Sequence, residues 1–169
     1  MPGRNIAEAV DKYLHSLQQS ASCLTRAVLR PSGYEPDVVL VLTFSDPSIE
    51  VITKTERVLY FSFAQNFSIS RFHRVSTEAY SYVLEDEHHN EIVAYHWNPR
   101  GEFTEPHLHV GFAADQGLAM RKVHFPTGRV AFEEFCLLLI NEFQVEPERS
   151  DAIDTLKTNL RHFRMHKSW

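Results

Sequence analysis

The chain has 169 residues, 43% of them hydrophobic and 23% charged. That composition excludes disorder and coiled coil, and the length fits one domain, residues 1–169, burying about 70% of its unfolded surface without disulfide or metal staples. With 17 basic and 22 acidic residues the formal charge is −5, so the global positive charge of a generic nucleic-acid binder is missing. The anomaly is histidine, which occurs ten times.

Charge is unevenly spread. From Thr155 to Trp169 the charged residues are Lys157, Arg161, Arg164 and Lys167, so the overall −5 divides into +4 there and −9 before it. Cations in the last turns of a terminal helix complement its dipole, and a basic tail can also meet phosphate or an acidic partner. The apolar runs Val38 to Phe44 and Phe135 to Ile140 fall far short of the roughly 20 residues that span a bilayer, so no membrane partner is expected. Met1 to Tyr13 carries no secretory pattern, and the expected location is cytoplasmic. Cys23 and Cys136 have no CxxC spacing, which argues against a zinc ribbon or a disulfide framework and for two reduced thiols.

In chain order, Ile6, Val10, Tyr13, Leu14 and Leu17 recur at helical steps behind Asn5, a natural N-cap, predicting a helix from Ile6 to about Ser20. Its continuation through Leu24 and Val28 is left open, because Ser20 to Thr25 are poor helix formers. Pro31, Gly33 and Pro36 then make a loop. Val38 to Phe44 reads as a strand, and Glu50 to Phe63 extends the β-favouring composition, giving two or three strands in this region. Ala79 to Glu85 and Glu91 to Trp97 form a strand pair across the turn Asp86 to Asn90, which places His88 and His89 in solvent. His107 to Ala113 and Met120 to Phe125 are the next pair. After Pro126-Thr127-Gly128, an apolar stripe from Val130 to Phe143 predicts a helix capped by Thr127, and Ser150 or Asp151 caps another carrying Ile153, Leu156, Leu160 and Phe163. The fold expected is α+β: a mainly antiparallel sheet of about six strands with one N-terminal helix and two C-terminal helices on one face.

His107 and His109 share one face of their strand, about 7 Å apart, a spacing that suits two ligands of one ion or two groups flanking one substrate. Ten histidines in a chain of this length generate about 0.6 such pairs by chance. A symmetric hairpin pairing Ala113 with Met120 adds that His109 stands opposite His124, about 5 Å away between Cβ atoms, and Gly111 opposite Lys122. His96 ends the preceding strand and is a further candidate for this face.

Three readings follow. As metal ligands, His107, His109 and His124 supply neutral imidazoles to a divalent ion such as zinc, with Glu105 or water completing the shell. As an acid–base site, His109 and His124 are the catalytic pair and Lys122, with Arg121 or Arg100, stabilises phosphate charge. As structure, the histidines fill a half-exposed sheet face. Cys136 lies in a helical apolar stripe, where a thiol is ordinarily inert. Tyr80, Tyr82, Tyr95 and Trp97 read either as core or as an aromatic platform for bases.

The runs Tyr95-His96-Trp97-Asn98, Pro106-His107-Leu108-His109-Val110 and Val123-His124-Phe125-Pro126-Thr127-Gly128 resemble small prokaryotic families associated with toxin–antitoxin loci, the TumE-like toxins and relatives with a Pro-His-x-His element. The resemblance covers about Tyr80 to Ile140. It implies a protein that binds or cleaves RNA, or one held by a cognate protein partner, with His107, His109 and His124 as the site. From a different class, the alternative is a non-catalytic interaction module that meets its partner through the sheet edge or the basic terminal helix.

Overall fold

The structure, a computed structural model, describes residues 5–111 and 124–166. Asn5 caps the first helix, α1 (Ile6–Ala21), its side-chain oxygen accepting from the Glu8 amide at 2.9 Å. The helix stops where its good helix formers stop, and the open continuation resolves into a short strand, β1 (Leu29–Pro31). Then follow β2 (Val39–Phe44), β3 (Ile49–Ile52), β4 (Val58–Ile69), β5 (Val75–Glu85), β6 (Glu91–Trp97), β7 (His107–Val110) and β8 (Phe125–Pro126). The chain closes with α2 (Phe132–Asn141) and α3 (Ala152–His166).

The fold is α+β, and among the described residues the sheet has eight strands rather than about six. The added strands are β1, too short to show an alternation of its own, and the second of the two, β3 and β4, into which the Glu50 to Phe63 stretch divides; β8 begins at Phe125, the last residue of the expected strand Met120 to Phe125. All pairings are antiparallel, in the order β1-β2-β4-β5-β6-β7-β8, with β3 beside the first half of β4. The expected strand Met120 to Phe125 lies mostly outside the described residues, as do Phe112 and Ala113. Thr127 does not cap α2. The helix begins four residues later, at an Ala131 cap whose amide donates to Glu134 Oε2 at 2.8 Å.

Period-2 alternation sorts the sheet into two unlike faces. On β4, Leu59, Phe61, Phe63, Gln65, Phe67 and Ile69 are buried and the residues between them half-exposed. Their buried partners on β5 are Tyr80, Tyr82 and Leu84, followed on β6 by Trp97, Tyr95 and Val93. The helices pack on this face alone. Phe132 meets Phe63 edge-on with centroids 4.6 Å apart, Phe135 lies 5.6 Å from Tyr82, and Tyr13 of α1 lies 5.5 Å from Phe67. Tyr80, Tyr82 and Trp97 are therefore core beneath α2, and no aromatic platform for bases is formed from them. Both cysteines are buried free thiols, and burial pushes each thiol pKa up, which leaves them protonated and unreactive. No helix among the described residues is long and apolar enough to cross a membrane.

Some polar groups enter this core with partners. Tyr13 Oη donates to Gln65 Oε1 at 2.5 Å, Gln65 in turn donates to the Tyr82 hydroxyl, and Ser20 Oγ donates to Glu133 Oε1 at 2.8 Å. Glu133 is 2% exposed. Burial pushes its carboxyl pKa up, against hydrogen bonds from its own amide and Ser20. The folded state thus holds the Glu133 proton more tightly than the unfolded chain. Its stabilising contribution is complete below the ordinary glutamate range and is lost as pH rises through the raised folded value. Glu133→Gln keeps an acceptor for Ser20 and removes the buried charge. Urea unfolding should show the variant more stable than the parent at pH 8, by on the order of 1 kcal/mol, with the difference shrinking toward pH 4. An equal penalty at both pH values would contradict this.

Candidate metal centre

The opposite face of the sheet mixes small and polar side chains with exposed Val39 and Val41, and at its β6–β7 end it carries imidazoles. His96 pairs with His107 and Ala94 with His109. On the far side of β7, His107 pairs with Pro126 and Leu108 with Phe125, the register that the symmetric hairpin predicts. One further step along that ladder sets His124 against His109, and their side chains meet, His109 Nε2 lying 2.9 Å from His124 Nδ1. Ring centroids are 4.8 Å apart for His96 and His109, 5.1 Å for His107 and His109, and 4.7 Å for His107 and His124. The four histidines that the strand pattern singles out thus form one cluster.

Its surroundings fix ring orientation. His107 is buried, and its Nδ1 lies 2.7 Å from the Glu105 carbonyl oxygen. A carbonyl only accepts, so the proton of neutral His107 sits on Nδ1 and the Nε2 lone pair is left for another partner. Ligating histidines are commonly held in this way, by a backbone carbonyl on the other nitrogen. Phe103, 47% exposed, stacks on His124 with centroids 3.7 Å apart and stands edge-on to His107 at 5.9 Å. Burial, then the neighbouring imidazoles, pull His96 down to about 4 and also lower His109. Both rings are therefore neutral at physiological pH, the form that binds metal.

One nitrogen from each of His107, His109 and His124 lies within 4.8 Å of the others. Two nitrogens bound at 2.0–2.1 Å to a tetrahedral ion are about 3.3 Å apart, so the 2.9 Å contact between His109 and His124 needs only a small opening to admit one. Glu105 serves through its backbone, and its carboxylate belongs to neither donor set among the described residues. Arg100 lies exposed in the turn after β6. Arg129 covers the Trp97 ring at 3.6 Å, on the helix side of the sheet. Lys122 and Arg121 lie outside the described residues.

The residue missed by sequence reasoning is Glu91. Strict alternation puts it on the face of Val93 and Tyr95, away from His96. The β5–β6 register slips between Leu84 and Glu85, where Leu84 pairs with Val93 but Glu85 pairs with Glu91, leaving Ile92 as an extra residue. Such a bulge re-aims the side chains beyond it, and Glu91 Oε1 ends 3.7 Å from His109 Nδ1. A Cβ on Gly111 would sit 1.6 Å from the Glu91 carbonyl oxygen, so only glycine lets the chain leaving β7 pass this point.

Comparison with models of known families, with curated proteins and with solved structures gives no match.

Gly111→Ala forces the backbones at Glu91 and Gly111 apart. Urea denaturation should register a loss of about 2 kcal/mol or more, within the range of backbone-strain mutants. Stability equal to the parent would mean that the two segments part without cost.

Proposed function

We propose that the protein is a divalent-metal hydrolase whose ion is held by His107, His109 and His124. The observation that carries this reading is the convergence of three imidazole nitrogens within 4.8 Å, one of them already oriented by the Glu105 carbonyl. Three histidines leave a fourth position open, as in catalytic rather than structural zinc sites. An ion there supplies Lewis acidity and brings a coordinated water to a pKa of about 7.

The metal-free acid–base reading is less well supported. An acid and a base that act on opposite sides of a scissile bond need space between them for the reacting atoms. His109 and His124 touch each other at 2.9 Å.

For the substrate we propose RNA, on the resemblance of Pro106-His107-Leu108-His109 and its flanking runs to the TumE-like toxins. The exposed Phe103 beside the cluster offers a face on which an unpaired base can stack. A cytoplasmic toxin–antitoxin role, with a cognate protein partner, goes with that substrate.

The test combines metal content with cleavage. Purified protein should take up zinc or manganese, and His107→Ala and His124→Ala should each weaken binding by more than about a hundredfold, beyond what loss of a supporting residue causes. RNA cleavage should stop in chelator and return with added ion. Cleavage that continues unchanged in chelator and in both variants sinks the metal reading. A folded parent that neither binds an ion nor cleaves RNA sinks the enzyme and leaves the non-catalytic interaction module.

A further inference from the structure

We infer that the cluster holds a second divalent ion, bound by Glu91, His96 and the Nδ1 atom of His109, so that His109 bridges two metal sites. This rests on the reading of His107, His109 and His124 as the first site. Donor atoms of Glu91, His96 and His109 also lie within 4.8 Å of one another.

His109 faces the two sets with different atoms. Its Nε2 is the atom that touches His124, and its Nδ1 is the atom nearest Glu91. The 3.7 Å from Glu91 Oε1 to Nδ1 is too long for a hydrogen bond. It is close to the roughly 3.4 Å that separates two donors of one tetrahedral ion with bonds near 2.1 Å. The same spacing that fails as a hydrogen bond thus serves as shared coordination.

His96 supplies a further observation. Its ring is packed against His107 and His109, yet neither ring nitrogen has a hydrogen-bond partner among the described residues. Both are thus open to water or to a metal ion. Across the β5–β6 ladder, Glu91 stands opposite Glu85. A cation here would take the open nitrogen of His96 as a ligand.

Filling both sites engages both lone pairs of His109 as an imidazolate. Its remaining N–H proton leaves to solvent, so occupation of the pair releases one proton per chain from this residue.

The experiment is a stoichiometric titration of the full chain with zinc and, separately, with copper(II), read by calorimetry and by metal content after desalting, with circular dichroism confirming that each variant is folded. The parent should bind two ions. His96→Ala should bind one, His124→Ala should bind one, and Glu91→Gln should weaken the second equivalent by at least about tenfold. Two copper ions on one imidazolate couple magnetically, so the doubly loaded parent should give a weaker electron-paramagnetic-resonance signal than two isolated ions.

A parent that binds one ion, lost in His107→Ala and kept in His96→Ala, overturns the second site and leaves the first standing. Two ions with uncoupled spectra overturn the bridge. No ion in any form overturns both sites together.

Discussion

The alternation of side chains across β4, β5 and β6, interrupted only at two register slips, is the constraint on which the rest depends. Most residues that this alternation turns inward are large apolar or aromatic side chains that face the helices: Phe61, Phe63 and Phe67, then Tyr80 and Tyr82, then Tyr95 and Trp97. Burying each such group is worth roughly 1.5–3 kcal/mol, so α1, α2 and α3 are drawn to one side and leave the other side uncovered. The residues between them are small where the site needs room. Ser81 lies opposite His96 on one flank and Ala64 on the other, and Ala94 lies opposite His109. No bulky ring from β4 or β5 competes for the space that the imidazoles occupy.

Two departures from regular sheet occur at the same place. The extra residue at Ile92 turns Glu91 toward the histidines, and Gly111 lets the end of β7 pass against the Glu91 backbone. Neither benefits packing. A bulge interrupts the ladder, and a glycine gives up a side chain, so both are local costs that the buried aromatic face offsets. Irregularities of this kind are expected where a sheet is shaped for a ligand rather than for stability alone.

How much of this was legible in the sequence follows from the range of the interactions concerned. The element order, the α+β class and the Asn5 cap depend on local periodicity, which a reader of residues sees directly. The contact of His109 with His124 follows from a hairpin register, and assuming a symmetric loop was enough to find it. The start of α2 was misplaced because Thr127, although a good capping type, is followed by residues that stay extended until Ala131, where Glu134 reaches back to the free amide. β1 was invisible because a three-residue strand exists only through its partner. His96 could not be placed through the long connection from Asn98 to Pro106, and Glu91 could not be placed at all, since a bulge changes the facing of a residue without changing its spacing.

Electrostatics links the two functional proposals. The chain is acidic overall, with −9 on the part before Thr155, so its body repels a phosphodiester rather than attracting it. Burial keeps His96 and His109 neutral, so these two rings supply no positive charge of their own. Protonating them would also consume the lone pairs that make the cluster a ligand set. A divalent ion in the proposed site would use the neutral rings as they are and place positive charge beside the exposed Phe103. The two proposals thus support each other: the proposed ion would supply, at the cluster, positive charge that the neutral rings of His96 and His109 do not.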